Sequence, residues 1–112
     1  MSVEPMRVLV NGEPGNAIAT TDRGLLYGDG LFETIACKEG TPQLWRAHMQ
    51  RLQSGCERLG LGRIDTDALR QECLGLIEGA GRAVLKVIIT RGTGGRGYRP
   101  PEKIKSTRIV QL

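Results

Sequence analysis

Along this chain the period of the apolar positions changes twice. Met6–Val10 is a short run of β-forming residues that ends at Asn11-Gly12, a pair suited to a tight hairpin because both residues tolerate positive φ. A partner strand is expected near Ala17–Thr20. Asp22–Gly30 reads as a loop punctuated by Gly24, Gly28 and Gly30. Leu31–Lys38 then alternates, with Leu31, Glu33, Ile35 and Cys37 on one face and Phe32, Thr34 and Ala36 on the other. Glu39-Gly40 is a turn, and Thr41–Trp45 is expected to return as a strand.

From Trp45 the spacing becomes helical. Trp45, Met49, Leu52, Cys56 and Leu59 form one stripe, closed by Gly60 and Gly62. Asp65 or Thr66 caps a second helix with the stripe Leu69, Cys73, Leu76, Ile77 and Ala80, ended by Gly79 and Gly81. Ala83–Thr90 reverts to β-branched alternation. Arg91–Gly97 is a glycine-rich loop running through Tyr98 to Pro100-Pro101, and Ser106–Leu112 alternates once more. This order predicts an α+β domain, a mainly antiparallel sheet with two helices packed on one face. Val110-Gln111-Leu112 ends the chain on a strand with no polar tail, which reads as a cut at a domain boundary.

Composition narrows the classes. A chain of 112 residues makes one small domain, and 16 basic against 12 acidic residues give a net charge of +4. That mild excess permits a nucleic-acid partner without requiring one. Cys37, Cys56 and Cys73 have neither zinc-ligand nor disulfide-framework spacing, and free thiols fit a reducing cytoplasm. The start lacks a basic segment followed by an apolar one, and the apolar runs are too short to span a bilayer.

Four features carry candidate chemistry. In Arg91–Tyr98 the glycines can aim backbone N–H groups at an anion while Arg96 and Tyr98 share one side of an extended segment, suiting a carboxylate. The same residues also read as an RNA-binding Arg-Gly segment, or as a plain hairpin loop. Asp22 and Asp29 read as loop-capping acceptors or as acids with a catalytic role. His48 and Arg51 lie at i and i+3 on the first helix; His48 reads as a solvated or capping residue and Arg51 as an exposed charge. Lys86 interrupts an apolar strand; it is either a buried Schiff-base amine or the solvent-side residue of a half-exposed strand.

Taken together, three segments resemble the fold-type IV pyridoxal-phosphate enzymes: Asp22-Arg23-Gly24-Leu25-Leu26-Tyr27-Gly28-Asp29-Gly30-Leu31-Phe32-Glu33-Thr34, His48-Met49-Gln50-Arg51-Leu52, and Leu85-Lys86-Val87-Ile88-Ile89-Thr90-Arg91-Gly92. The resemblance spans nearly the whole chain. It implies pyridoxal 5'-phosphate as cofactor, with Arg51 holding the phosphate, since a guanidinium fork suits that dianion. It further implies that Phe32 and Thr34 line the substrate side, that Arg96 and Tyr98 meet substrate carboxylates, and that Tyr27 reaches a neighbouring active site in a homodimer. The continuation Thr93–Tyr98 is more similar to the aminodeoxychorismate lyases than to the D-amino-acid or branched-chain aminotransferases. That implies release of pyruvate from aminodeoxychorismate to leave 4-aminobenzoate, a folate precursor, with the small molecule rather than a nucleic acid or membrane as partner.

In this family the Schiff-base lysine, the acidic partner of the pyridine nitrogen and a second phosphate loop lie in a C-terminal domain. Lys86 does not align with that lysine. Residues 1–112 are therefore expected to be the N-terminal small domain, with no catalytic residue of its own and no activity alone.

Overall fold

In the computed structural model, which describes residues 7–95, 99 and 103–112, six strands form one antiparallel sheet and three helices pack around it. The strands are β1 (Val8–Val10), β2 (Glu13–Pro14), β3 (Gly30–Lys38), β4 (Thr41–Pro42), β5 (Ala83–Thr90) and β6 (Thr107–Gln111). The helices are α1 (Arg23–Tyr27), α2 (Trp45–Leu59) and α3 (Thr66–Ile77). Across the sheet the order is β2-β1-β6-β5-β3-β4. The expected α+β architecture is what forms, with α2 and α3 on one face.

The alternation of β3 decides which face that is. Ile35 and Cys37 point inward with Leu85, Val87 and Ile89 of β5 and Val110 of β6. They meet Met49, Leu52 and Cys56 of α2 and Leu69, Cys73, Leu76 and Ile77 of α3, most of the two stripes expected from the spacing; Leu59, the last of the α2 stripe, is exposed at the helix end instead. Burying this contiguous apolar surface drives the packing of the two layers. All three cysteines are buried free thiols, and burial pushes Cys73 up to about 12. They act as small apolar side chains rather than as reactive groups.

Four local expectations are corrected. Asn11 (φ 52°) and Gly12 (φ 82°) do make the hairpin, but the returning strand is Glu13–Pro14 and not Ala17–Thr20. Pro14 has no N–H to continue a ladder, so pairing stops there. The Asp22–Gly30 loop contains α1, whose first turn is capped by Asp22 accepting from Gly24 N at 2.8 Å and whose end is Gly28 in the left-handed region. A helix of five residues is too short for apolar periodicity to reveal. β4 covers only Thr41–Pro42, because Leu44 (φ 55°) already turns the chain into α2. α3 ends at Ile77, short of Ala80, as Glu78 leaves the helical region.

Asp22 also accepts from Thr107 Oγ1 at 2.6 Å, tying α1 to β6 in a buried setting. Its capping role is thus a structural one. No helix among the described residues is long and apolar enough to cross a membrane.

Two glycines separate steric need from tolerance. A Cβ on Gly30 would run into the backbone carbonyl of Ile89 at the head of the β3–β5 ladder. Gly30→Ala is expected to cost about 1–3 kcal/mol in urea unfolding, as overpacking against fixed backbone does. Gly75, inside α3, would meet nothing within 4 Å. Gly75→Ala is expected to stabilise the domain by about 0.5–1 kcal/mol in the same assay.

Candidate functional site

The site is built on β3, a strand with different chemistry on its two faces and a largely bare edge. β4 pairs only with Cys37 and Lys38, so the Gly30–Ala36 stretch has no neighbouring strand on that side among the described residues. Inward-facing Glu33 lies between β3 and α2, with only 7% of its surface exposed. A carboxylate there needs donors, and α2 supplies them from one face, since residues three apart on a helix are neighbours.

Arg51 Nε donates to both Glu33 oxygens at 3.0 Å, and its Nη2 donates to Oε1 at 2.7 Å. His48 Nδ1 lies 2.7 Å from the same Oε1. His48 is therefore not the solvated or capping residue expected; it is a half-buried partner of Glu33. Arg51 combines both descriptions, as its side chain is 71% exposed yet held by this fork. Two of its nitrogens face Glu33, while Nη1 makes no protein hydrogen bond among the described residues. That leaves an oriented cationic donor pointing to solvent, which fits a phosphate.

Burial pushes the Glu33 carboxyl up, but the hydrogen bonds from Arg51 and then His48 outweigh it and hold the group below its ordinary 4.5. The same contact raises the Arg51 guanidinium further above neutrality.

A second cluster fixes the approach to β3. Asp29 Oδ2 accepts from Arg23 Nε at 2.9 Å and from Arg91 Nε at 2.8 Å. The Arg91 hydrogen bond lowers Asp29 most, burial works against it, and Arg23 adds to the lowering. Arg91 Nη2 reaches the Leu59 carbonyl at 2.7 Å, closing the C-terminal end of α2. Arg23 lies 4.7 Å from the centre of the Tyr27 ring, holding that aromatic against α1.

On the other face of β3, Phe32 and Thr34 are exposed, as the alternation required. Phe32 borders a groove of about 390 Å³ shared with Leu25, Gly28, Ile88 and Ile109, beside α1. Lys86 is exposed with Nζ 4.4 Å from the Phe32 ring centre, so its solvent-side reading holds and the buried-amine reading does not. Arg96 and Tyr98, and with them the anion-binding and RNA-binding readings of their loop, lie outside the described residues. The structure thus sets Phe32 and Thr34 on one face of β3 and Glu33, with Arg51 bonded to it, on the other, while Tyr27 sits on α1 against Arg23. The importance of Glu33 was missed, although an acid on the apolar face of an alternating strand is itself a signal.

Both lowered carboxylates have folded values below their unfolded ones. Their contribution is complete above the ordinary carboxylate range and is lost as pH falls through the folded values. Unfolding stability is expected to drop between pH 5 and pH 3. Glu33→Gln is expected to be about 1–2 kcal/mol less stable at pH 7, with the gap narrowing in acid, as read by urea melts across pH.

Residues 30–112 match the family model of amino-transferase class IV. The chain is 35% identical over 91 residues to the aminodeoxychorismate lyase of Vibrio harveyi, an alignment covering 81% of this chain and 34% of that protein. The solved structure of 4-amino-4-deoxychorismate lyase from Pseudomonas aeruginosa matches with a TM-score of 0.82 and 48% identity, over 92% of this chain and 38% of that one. The PLP-bound form of a hypothetical aminotransferase from Mycobacterium tuberculosis matches with a TM-score of 0.75 and 25% identity, over 95% and 38%. The chain thus spans little more than a third of the length of these relatives. With the family model covering most of its residues, and with the fold shared by these structures, the chain belongs to amino-transferase class IV.

Proposed function

We propose that this chain is the N-terminal small domain of a cytoplasmic, homodimeric, PLP-dependent aminodeoxychorismate lyase, which converts 4-amino-4-deoxychorismate to 4-aminobenzoate and pyruvate. The observation that carries the reading is the 48% identity to a lyase structure over nearly the whole chain, against 32% and 25% to aminotransferase structures of the same fold. The clamped, outward-facing guanidinium of Arg51 supports it from the geometry.

In this reading Arg51 holds the cofactor phosphate through its free Nη1 edge, while Glu33 keeps the guanidinium from turning away. Phe32 and Thr34 form the substrate side of the site, and Arg96 and Tyr98 receive substrate carboxylates. Tyr27 reaches the neighbouring site of the dimer. When bound, pyridoxal phosphate supplies an electron sink for the carbon bearing the substrate's amine. The lysine that carries the cofactor belongs to a second domain, and residues 1–112 alone turn over no substrate.

An aminotransferase acting on a small amino acid is the second reading, favoured by the fit to the PLP-bound aminotransferase. The two separate in the longer enzyme by assaying pyruvate release from aminodeoxychorismate against amino transfer to a keto acid. Pyruvate release without amino transfer is the expected result; amino transfer with no pyruvate overturns the lyase reading. Arg51→Ala is expected to weaken cofactor binding by about tenfold or more, the scale of one charge-assisted phosphate contact, in a spectral titration with pyridoxal phosphate. Unchanged affinity would remove Arg51 from the phosphate site.

A further inference from the structure

The open face of the sheet, turned away from α2 and α3, is not uniformly apolar. Cross-strand register sets Phe32, Ile88, Ile109 and Val10 in one row. The next row is Thr34, Lys86, Gln111 and Val8, and beyond it Ala36 faces Val84. A polar band of hydroxyl, ammonium and carboxamide therefore crosses the middle of an apolar surface. Directly paired residues on one face stand close enough for their side chains to act on one ligand.

Lys86 is the cation of that band. Among the described residues it forms no ion pair with a carboxylate; its partner is the Phe32 ring, 4.4 Å from Nζ. Among the described residues the polar side chains beside it in the row, Thr34 and Gln111, are neutral, so an anion arriving here meets Lys86 as its counter-charge. The aromatic ring holds the ammonium beside Thr34 and offers a flat apolar surface next to it. The flanking rows limit water once the face is covered, which strengthens a charge-assisted contact.

We propose that Lys86 is a substrate-recognition residue that binds a carboxylate carried on a six-membered ring, with Phe32 against the ring and Thr34 donating to the same carboxylate. This rests on the reading of the chain as a lyase domain, whose product 4-aminobenzoate carries such a carboxylate. Lys86 takes no part in bond breaking. It selects ring acids over neutral or positively charged analogues by charge and position, so its loss falls on binding rather than on the chemical step.

The test compares wild type, Lys86→Met, Lys86→Gln and Lys86→Arg in the longer enzyme. Equilibrium binding is measured with 4-aminobenzoate and with its neutral amide, beside KM and kcat for pyruvate release. The expected result is that Met and Gln raise KM and the 4-aminobenzoate Kd by about tenfold or more while kcat changes far less, and that Arg restores most of the loss. The preference for 4-aminobenzoate over its amide should disappear in the same two variants. A folded Lys86→Met or Lys86→Gln enzyme that keeps wild-type Kd and preference overturns the role of Lys86 and leaves the lyase reading standing. A wild-type enzyme that neither releases pyruvate nor binds 4-aminobenzoate overturns the lyase reading, and the Lys86 proposal falls with it.

Discussion

The pairing of β3 with β5 is the contact on which the rest of the domain depends. Eight residue pairs, from Gly30–Thr90 to Cys37–Ala83, lock the two strands in one register. Because side chains alternate, that register fixes two surfaces at once. A slip of β3 by one residue would carry Ile35 to solvent and Phe32 into the core, so the hydrophobic effect guards the site as strictly as it guards the fold. Gly30 at the head of the ladder and the Asp29 cluster just before it hold the starting point of that register.

Glu33 is the exception on the buried face, and its placement has a physical logic. A carboxylate sealed against apolar neighbours would cost several kcal/mol without partners. Here it collects the donors of Arg51 and His48 and becomes the fixed point of the α2 side of the site. The pairing also tames Arg51, a long flexible side chain that would otherwise sample many rotamers on an exposed helix face. Orientation is obtained from a neighbour rather than from burial.

Much of this was legible in the residues. The alternation of β3 and β5, the stripes of α2 and α3 and the capping acids Asp22 and Asp65 all act locally, and each took the form its pattern implied. What stayed hidden depended on partners distant in sequence or on very short elements. His48 looks like any polar helix residue until β3 brings Glu33 beside it from fifteen positions away. α1 spans five residues, and β2 two, too few for any period to show. Lys86 was ambiguous because a strand flanked by apolar residues reads alike whether one face or both are covered, and only the sheet order decides.

Arg91 has one further effect. By bonding Asp29 and the last carbonyls of α2, it joins the root of the glycine-rich segment to the same rigid body that carries Arg51. Arg23 N donates to Gly92 O at 2.7 Å, and a bridge between Asp22 and Thr93 extends that anchorage. Gly92 and Thr93, at the root of that segment, are thereby held both to α1 and, through Arg91, to the C-terminal end of the helix that presents Arg51. On the proposed reading, the start of the substrate-facing segment and the arginine that would hold the cofactor phosphate share one frame.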